Sequence, residues 1–407
     1  MGQNKINIPA GFKLAGIACG IAKKKGKLDV GLIYASAPCT AAAVFTTNTV
    51  KAAPVLVSVE HLGSGRIQAV IANSGNANAC TGQQGVKDTL ESAGQVAAGL
   101  GLEPHQVIVA STGVIGVPLP MEKMRQGIKQ VISRIKRPTT NDERLTEFSQ
   151  AIMTTDTVPK IASSAFKVNG KQIKIIGVAK GSGMIHPNMA TMLAFIITDA
   201  AVAGNVLRSS LRESVNRSFN MLTVDGDTST NDMALLLASG QAGNKKIKGG
   251  TEEKLFRLHL DKICLDLAKM MARDGEGATK FVEVAVSGAK TLASAKQVAM
   301  SIAKSSLVKT ALFGNDPNWG RIIAAIGYSG EKIQPEKINI SIAGGGQKIL
   351  MCKSGRDPGF SETAAKKILK HTDLKILIDL GSGRASAVVF TCDLTHGYID
   401  INASYRT

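Results

Sequence analysis

Short apolar runs, bounded by Gly, Pro, Asn or Ser, alternate along this chain with longer stretches in which apolar residues recur every three or four positions. The short runs are typical of buried strands, and the periodic stretches are typical of helices that bury one face. In the first third of the chain we predict strands at Val30–Tyr34, Ala43–Thr46, Val55–Val59, Gln68–Ala72 and Val107–Ala110, and helices at Val86–Leu100, Met121–Ile135 and Asp142–Met153.

The same alternation continues to the C-terminus. Predicted strands lie at Ile173–Val178, Leu193–Thr198, Phe281–Val286, Ile338–Ile342, Ile349–Cys352, Leu374–Leu380 and Ala385–Cys392, and predicted helices at Val206–Leu222, Glu252–Met271, Ala293–Ala303 and Glu362–Leu369. Because strands and helices mix throughout, the pattern predicts an α/β or α+β fold. No repeat at a fixed period and no Pro/Ser-rich linker divides the chain.

Composition narrows the class of protein. Apolar residues make up 44% of the 407 residues and charged residues 20%, which favours a globular protein of two to three domains or one two-lobed unit. The apolar stretch Met192–Ala203 contains Asp199 and is shorter than the roughly 20 residues of a membrane span. The apolar segment Leu14–Ala22 precedes the basic run Lys23–Lys25, which reverses the order of a secretory signal. We therefore predict a cytoplasmic protein without a membrane segment.

The charge pattern does not indicate a nucleic-acid site. Lys and Arg number 49 against 31 Asp and Glu, a formal net charge of +18, yet the basic residues are dispersed and aromatic residues are only 4%. No nucleic-acid-binding motif is present, so the pattern favours a solvated basic surface. A non-enzymatic basic binding protein stays as an alternative, which salt-dependent affinity for DNA or RNA without acyl transfer would support.

Signatures of bound cofactors and metals are absent from the sequence. It contains no P-loop, no complete dinucleotide-binding fingerprint, no CxxC pair and no HExxH motif. The segment that begins at Asp225 resembles a calcium loop, but its sixth position is Thr230 and its twelfth is Leu236. We therefore predict no metal and no bound cofactor, and we interpret the six cysteines as buried apolar residues.

One segment carries distinctive chemistry, the stretch from Lys180 to Leu193. A lysine ends a predicted strand, a Gly-Ser-Gly turn and Pro187 follow, and Thr191 begins the next strand after the small residue Ala190. A threonine in a strand is ordinarily only a β-former. If the bond between Ala190 and Thr191 breaks, however, Thr191 gains an α-amine with a pKa of about 7.7–8.0, which can take the hydroxyl proton.

This segment resembles the self-cleavage segment of the ornithine acetyltransferase (ArgJ) family, and further motifs resemble that family in the same order. They are 10–17, 40–47, 73–81, 111–116, 153–160, 218–235, 273–280, 317–321 and 401–407, which together span essentially the whole chain. Any one of them is weak, but nine in order make chance similarity a poor explanation.

The resemblance implies roles for individual residues. Thr191 would be both the self-cleavage residue and the nucleophile, so that cleavage after Ala190 gives fragments 1–190 and 191–407. Thr112 and Gly113 match the family's oxyanion-hole pair. The positions that match its substrate-binding residues are Thr154 (or, with the register shifted by one, Thr155), Lys180, Thr191, Glu276, Asn402 and Thr407. Ser404 stands where the family pattern has Asp.

The resemblance also implies a fold and a reaction. The fold would be the DmpA/ArgJ-like four-layer α-β-β-α architecture of a self-cleaved N-terminal-nucleophile enzyme. The reaction would move the acetyl group of N2-acetylornithine to glutamate in arginine biosynthesis, in a heterotetramer of two α and two β fragments. Some members also accept acetyl-CoA as acetyl donor, but no CoA motif is identifiable here. A related self-processing amidase or aminopeptidase, which passes the acyl group to water, is the alternative.

Overall fold

The computed structural model describes residues 7–138, 140–186 and 192–403, and within them it confirms a mixed α/β protein. Its contacts divide the chain into two compact units. The first comprises the described residues up to Gly181, those between Met192 and Asn220, and Thr228–Leu267; the second comprises Ser182–His186, Met221–Asp227 and the residues from Ala268 onwards. These units do not coincide with the predicted fragments 1–190 and 191–407, because each unit contains residues from both sides of position 190.

The first unit holds an eight-stranded sheet and its helices. The strands are β1 (Phe12–Ile17), β2 (Val30–Phe45), β3 (Ile67–Asn73), β4 (Val107–Ser111), β5 (Lys160–Val168), β6 (Lys171–Lys180), β7 (Leu193–Thr198) and β8 (Met233–Ala238). The helices are α1 (Ala53–Leu62), α2 (Gly82–Leu100), α3 (Met121–Lys136), α4 (Asn141–Ile152), α5 (Gly204–Arg217) and α6 (Gly250–Arg273), of which α6 continues into the second unit.

The long strand β2 organises this sheet. The strand order is β4-β3-β2-β8-β7-β6-β5, with β1 paired to β2. The first part of β2, Val30–Tyr34, pairs with β3, and its last part, Thr40–Phe45, pairs with β8. The register shifts between Tyr34 and Cys39, around Pro38, which has no N–H to donate to a ladder. One strand thus serves two half-sheets, where the sequence predicted two separate strands.

The two half-sheets produce the predicted α-β-β-α layers. Side chains on one face of β1–β4, such as Leu14, Ile33 and Val70, share a core with Phe195 and Leu235 of the other half-sheet. The alternate residues of β1–β4 face outward and pack against α2 and α3 in a second core. Helix α5 packs on β2 and β8, and α6 packs on β6 through side chains beside Gly177. The period-two alternation of buried positions therefore builds a sheet that is covered on both faces.

The second unit contains a five-stranded sheet. Its strands are β9 (Phe281–Ala289), β10 (Asn339–Gly344), β11 (Gln347–Cys352), β12 (Asp373–Asp379) and β13 (Ala385–Cys392), in the order β11-β10-β12-β9-β13. Its helices are α7 (Leu292–Lys304), α8 (Ser306–Phe313), α9 (Trp319–Gly327), α10 (Glu362–Leu369) and α11 (His396–Ala403). Helix α7 packs on β9 and β13, and α10 packs on β10 and β11.

One predicted strand is wrong. Val55–Val59 lies in helix α1, which begins at Ala53, has Pro54 in its first turn and buries Val55, Val57, Ser58 and His61. The Ser58 hydroxyl donates to the carbonyl oxygen of Val109 at 2.8 Å. A ring nitrogen of His61 lies 2.8 Å from the carbonyl oxygen of Val107. These contacts cover the edge strand β4, whose polar groups would otherwise be exposed. A β-branched run is therefore helical here because it has a sheet edge to cover.

Other elements were not predicted. Strands β1, β5 and β8 and helices α8, α9 and α11 have no counterpart in the prediction, and α5 ends at Arg217 rather than Leu222.

The expectation that all six thiols are buried is also wrong, since Cys80 is exposed and Cys19 is partly exposed. Within the described ranges, the structure contains no helix with the length and apolarity that crossing a bilayer requires.

Candidate active site

The predicted substrate lysine lies at the end of a hairpin in the first unit. Lys180 is the last residue of β6 and pairs in register with Leu193, the first residue of β7. On the other side of β6, Lys160 at the start of β5 pairs with Ala179. Strand β7 is held on its far side by β8, where the Met233 N–H donates to the carbonyl oxygen of Met192 at 2.9 Å. The sheet therefore brings both ends of the segment between Lys180 and Leu193 to one edge.

Three predicted site residues meet at this edge. The Lys180 ammonium donates to the hydroxyl oxygen of Thr154 at 2.8 Å and to that of Thr112 at 3.2 Å. Lys180 is only 8% exposed, whereas Thr112 and Thr154 are half-buried, so these contacts are partly shielded from solvent. Of the two adjacent threonines, it is Thr154 whose hydroxyl contacts the lysine. Residues that are 26 and 68 positions from Lys180 in the sequence thus form one cluster.

The turn that carries Thr112 and Gly113 is rigidly held. The Thr112 N–H donates to the carbonyl oxygen of Asn73 at 3.0 Å. Gly113 has φ +135°, and a Cβ there would lie 2.4 Å from the carbonyl carbon of Gly75, so only glycine fits. The buried Asn231 amide donates to the carbonyl oxygens of Ala77 and Ser111, at 2.6 and 2.8 Å. Sequence reasoning missed this asparagine, which ties the end of β4 to the neighbouring loop.

A second residue that sequence reasoning missed is Asp156, in the turn between α4 and β5. Its carboxylate accepts hydrogen bonds from the Lys160 ammonium at 2.7 Å, the Gly181 N–H at 2.7 Å and the Thr154 N–H at 3.0 Å. The side chains of Asp156 and Lys160 are both fully buried. Burial alone would raise the pKa of the Asp156 carboxyl, but the charges of Lys180 and Lys160 and these hydrogen bonds lower it to about 2. Asp156 is therefore ionised at neutral pH.

The second unit contains another pair of predicted site residues. Glu276 follows α6 and is 7% exposed, and its carboxylate accepts a hydrogen bond from the Asn402 amide at 2.7 Å. Asn402 lies on α11 and also donates to the carbonyl oxygen of Tyr398 at 3.0 Å. The C-terminal segment therefore forms a helix that contacts Glu276. A Cβ on Gly183 would lie 2.1 Å from the Glu276 carboxylate, so the glycine leaves room for this carboxylate.

The short segment 182–186 is fixed within the second unit. The Asp225 carboxylate accepts the N–H groups of Met184 and Ile185 at 2.6 and 2.8 Å, and the Val224 N–H donates to the carbonyl oxygen of Ile185 at 2.7 Å. Burial raises the pKa of the Asp225 carboxyl above its ordinary value. Asp225, the first residue of the rejected calcium loop, thus binds backbone. The described residues contain no cluster of His, Cys, Asp and Glu suited to a metal ion.

The residues predicted to undergo chemistry lie outside the described residues. Ala190, Thr191 and Thr407 are among them, so their predicted roles stay predictions. The described residues on either side of the cleavage position, His186 and Met192, belong to the second and the first unit respectively. Each of the two groups described above, around Lys180 and around Glu276, lies inside its own unit.

A separate cavity of about 540 Å³ lies in the second unit. Its charged lining residues include Lys269, Arg273 and Lys375, but these are paired with Glu283 and Asp373. None of the predicted site residues lines it. It is therefore distinct from both groups described above.

Comparison with known proteins gives matches along nearly the whole chain. A model of the ArgJ family matches residues 13–407. The arginine biosynthesis bifunctional protein ArgJ of Symbiobacterium thermophilum is 48% identical over 405 residues, which are 99% of this chain and 98% of that protein. The protein of the same name from Thermotoga neapolitana is 46% identical over 404 residues, 98% of this chain and 100% of that protein.

Two solved structures are similar over about half of the chain. The crystal structure of ArgJ from Bacillus halodurans is 46% identical and covers 51% of this chain and 96% of its own, with a TM-score of 0.49. The ornithine acetyltransferase of Mycobacterium tuberculosis, crystallised with ornithine, is 40% identical and covers 46% of this chain and 94% of its own, with a TM-score of 0.38.

The environment of His186 predicts a pH dependence of stability. Burial, together with the nearby Lys304 and Lys296, lowers the pKa of His186 from 6.5 to about 4. Between these values the unfolded chain binds a proton that the folded chain does not, so stability falls as pH falls through this range. When the pH is lowered from about 7 to about 5, we expect the melting temperature of His186→Gln to fall by less than that of the wild type.

Thermal unfolding followed by circular dichroism at both pH values measures this difference. The matched control is His105→Gln, because His105 is exposed. Equal losses of melting temperature in the wild type and in His186→Gln would contradict the assignment.

Proposed function

The chain belongs to the ArgJ family, and from that premise we propose that it is a self-processing acetyltransferase that moves the acetyl group of N2-acetylornithine to glutamate. The observation that carries the proposal is the partly buried contact of the Lys180 ammonium with the hydroxyls of Thr112 and Thr154, at the sheet edge where β7 begins. A shielded cation beside hydroxyl groups suits a substrate that has a carboxylate next to the reacting amide.

The first step is cleavage of the chain. The Thr191 hydroxyl attacks the carbonyl carbon of Ala190, its proton passes to the departing nitrogen, and the acyl group shifts from nitrogen to oxygen. Water then hydrolyses the ester, which leaves a carboxylate on Ala190 and a free α-amine on Thr191. With a pKa of about 7.7–8.0, that amine is a suitable base for the adjacent hydroxyl near neutral pH.

The transfer reaction uses the same hydroxyl twice. Thr191 attacks the acetyl carbonyl of N2-acetylornithine, its proton goes to the departing amine, and ornithine leaves. The amine of glutamate then attacks the acetyl-threonine ester, which forms N-acetylglutamate and restores the hydroxyl. Because one nucleophile alternates between two amines, the kinetics are ping-pong.

The oxyanion of each tetrahedral intermediate is stabilised by Thr112 and Gly113. The Thr112 N–H already donates to Asn73, so the donor from this residue is its hydroxyl. That hydroxyl oxygen accepts from Lys180, which leaves its own hydrogen to donate elsewhere. Gly113 contributes its N–H from the turn that Gly75 and Asn231 hold in place. Preorganised donors of this kind stabilise developing charge without having to reorganise during the reaction.

Substrate binding is assigned to the remaining residues. Lys180 binds the substrate carboxylate, and Thr154 places the ammonium for it. Glu276 binds the substrate amine, and the hydrogen bond from Asn402 orients this carboxylate. Thr407 completes the set.

The fragments 1–190 and 191–407 stay associated after cleavage, because β7 of the second fragment pairs with β6 of the first along Ile175–Lys180. Segment 182–186 of the first fragment is likewise bonded to residues of the second. We place two copies of each fragment in a heterotetramer, in the cytoplasm.

Removing the nucleophile should block both steps. We expect purified wild-type protein to give two fragments in denaturing mass spectrometry, with masses that sum to the intact chain plus one water. Thr191→Ala should remain uncut and inactive, whereas Thr191→Ser, which keeps a hydroxyl, should be cut and active. A fully active wild-type preparation that consists of one intact chain would overturn the mechanism.

A matched pair of glycine variants tests the oxyanion turn. Gly113→Ala places a Cβ against the Gly75 backbone, so we expect kcat to fall by about 100-fold or more. Gly116→Ala is the control, because Gly116 also has a positive φ, +79°, but its added Cβ meets open space. Its main cost is backbone strain of about 1 kcal/mol. Self-cleavage and ornithine release are measured for both variants, and equal activity in the two would contradict the assignment of Gly113.

The same acetyl-threonine ester can form from a thioester. We expect the enzyme to make N-acetylglutamate from glutamate and acetyl-CoA without acetylornithine, in keeping with the word "bifunctional" in the names of its relatives. Release of free CoA thiol and formation of N-acetylglutamate are measured together, with Thr191→Ala as the control. A wild-type enzyme that transfers from acetylornithine but forms no product here has only one of the two activities.

A further inference from the structure

One buried carboxylate bonds to both chain segments that form the Lys180 cluster. Asp156 accepts the N–H of Thr154 at 3.0 Å and the N–H of Gly181, the residue after Lys180, at 2.7 Å. The side chains of Thr154 and Lys180 are themselves joined at 2.8 Å. Asp156, Thr154, Lys180 and Gly181 therefore form a closed ring of hydrogen bonds and peptide links, in which a displacement of the carboxylate moves both side chains.

Several lysine ammonium groups lie around this ring. Three lysines contribute to it: Lys160 bonded to Asp156 at 2.7 Å, Lys180, and Lys27, whose ammonium donates to the carbonyl oxygen of Thr154 at 3.0 Å. Of these three, Lys160 pairs directly with the Asp156 carboxylate, and the side chains of both residues are fully buried. The ammonium groups of Lys180 and Lys27 thus lie beside the residues that Asp156 holds, and a local positive potential of this kind suits an anionic group of the substrate.

We propose that Asp156 is a positioning residue for substrate binding, which sets the Lys180 ammonium and the Thr154 hydroxyl in the arrangement that receives the substrate carboxylate. This inference rests on the proposed function, because it assigns the carboxylate to Lys180. Asp156 touches no substrate atom; it acts through the backbone of Thr154 and Gly181.

A competing explanation is that Asp156 only neutralises Lys160. The two explanations differ in which contact matters. If Asp156 is a charge partner, removal of both charges should restore a normal site. If it is a positioning residue, one of the N–H groups of Thr154 and Gly181 still lacks the carboxylate oxygen that holds it, whatever happens at Lys160.

Three variants separate these explanations: Asp156→Asn, Lys160→Met, and the double variant with both changes. In Asp156→Asn one oxygen is replaced by an amide NH₂, which faces a backbone donor and cannot accept from it. We expect the KM for N2-acetylornithine to rise at least tenfold in Asp156→Asn and in the double variant, with kcat changed less than threefold. Lys160→Met, which keeps the carboxylate, should have a KM within about threefold of the wild type.

Asp199→Asn is the matched control. Asp199 is also a buried carboxylate that accepts two backbone N–H groups, from Ala10 at 3.2 Å and from Lys174 at 2.8 Å, but it follows the end of β7 that is opposite Leu193, away from Lys180. We expect a lower melting temperature with an unchanged KM. All variants are first checked for complete self-cleavage by gel electrophoresis.

The outcomes are distinct. A double variant with wild-type KM would show that Asp156 merely balances Lys160 and would overturn the inference. If Asp156→Asn fails to fold, the double variant and Lys160→Met still decide between the two explanations. The inference requires KM to rise when Asp156 is changed and to stay near the wild-type value when only Lys160 is changed. A wild-type enzyme that transfers no acetyl group would refute the proposed function itself, which is a different result from an active wild type with insensitive variants.

Discussion

The pairing of β6 with β7 is the constraint on which this account depends. It fixes Lys180 opposite Leu193, so the two ends of the segment with the proposed cleavage site are held at one sheet edge whether or not the chain between them is continuous. Strand β7 lies between β6 and β8, with main-chain hydrogen bonds on both sides. A cut near such a strand leaves the sheet intact, because the ladder does not need a continuous chain. The fold therefore does not depend on a continuous chain at this point. An enzyme that makes its nucleophile by breaking its own backbone needs this property.

Electrostatics then decide what this edge can bind. Burial makes an unpaired charge costly, so the ammonium groups there are held by hydroxyls, carbonyl oxygens and the carboxylate of Asp156. The low pKa of that carboxyl, about 2, keeps it ionised across the range in which a biosynthetic enzyme works. The ammonium groups of Lys180, Lys160 and Lys27 are thereby held in one place, unlike the dispersed basic residues that give the formal net charge of +18.

Hydrophobic periodicity predicted most of the long helices and the buried strands, because those elements bury one face or two against a core. It failed where another signal determined the structure. The dipeptide Asn169-Gly170, with φ of +49° and +75°, forms the tight turn between β5 and β6 and indicates a hairpin, but β5 itself is rich in Ser and Ala and was missed. Strand β8 consists of Met, Ala and Leu, which favour helices when alone, and it is a strand because β2 and β7 flank it. Helix α1 is the opposite case, a β-branched run that is helical because it covers β4.

The site was predictable only in part, and for a similar reason. Resemblance to a family supplied Thr112, Thr154, Lys180, Glu276 and Asn402, and the structure brings the first three together and joins the last two. Periodicity could not have found them, since a threonine or lysine at a strand end has no distinctive pattern. Asp156 and Asn231 were missed because each bonds to the backbone of a residue distant in sequence, Gly181 and Ser111 respectively, and such contacts become visible only when the fold is known.

The most direct test of the account is the mass of the fragment that begins at Thr191 after incubation with N2-acetylornithine without glutamate. The account predicts that this fragment gains one acetyl group, located on the Thr191 hydroxyl by peptide sequencing, and loses it when glutamate is added. An acetyl group on any other residue, or turnover without an acetylated fragment in a rapidly quenched reaction, would contradict it.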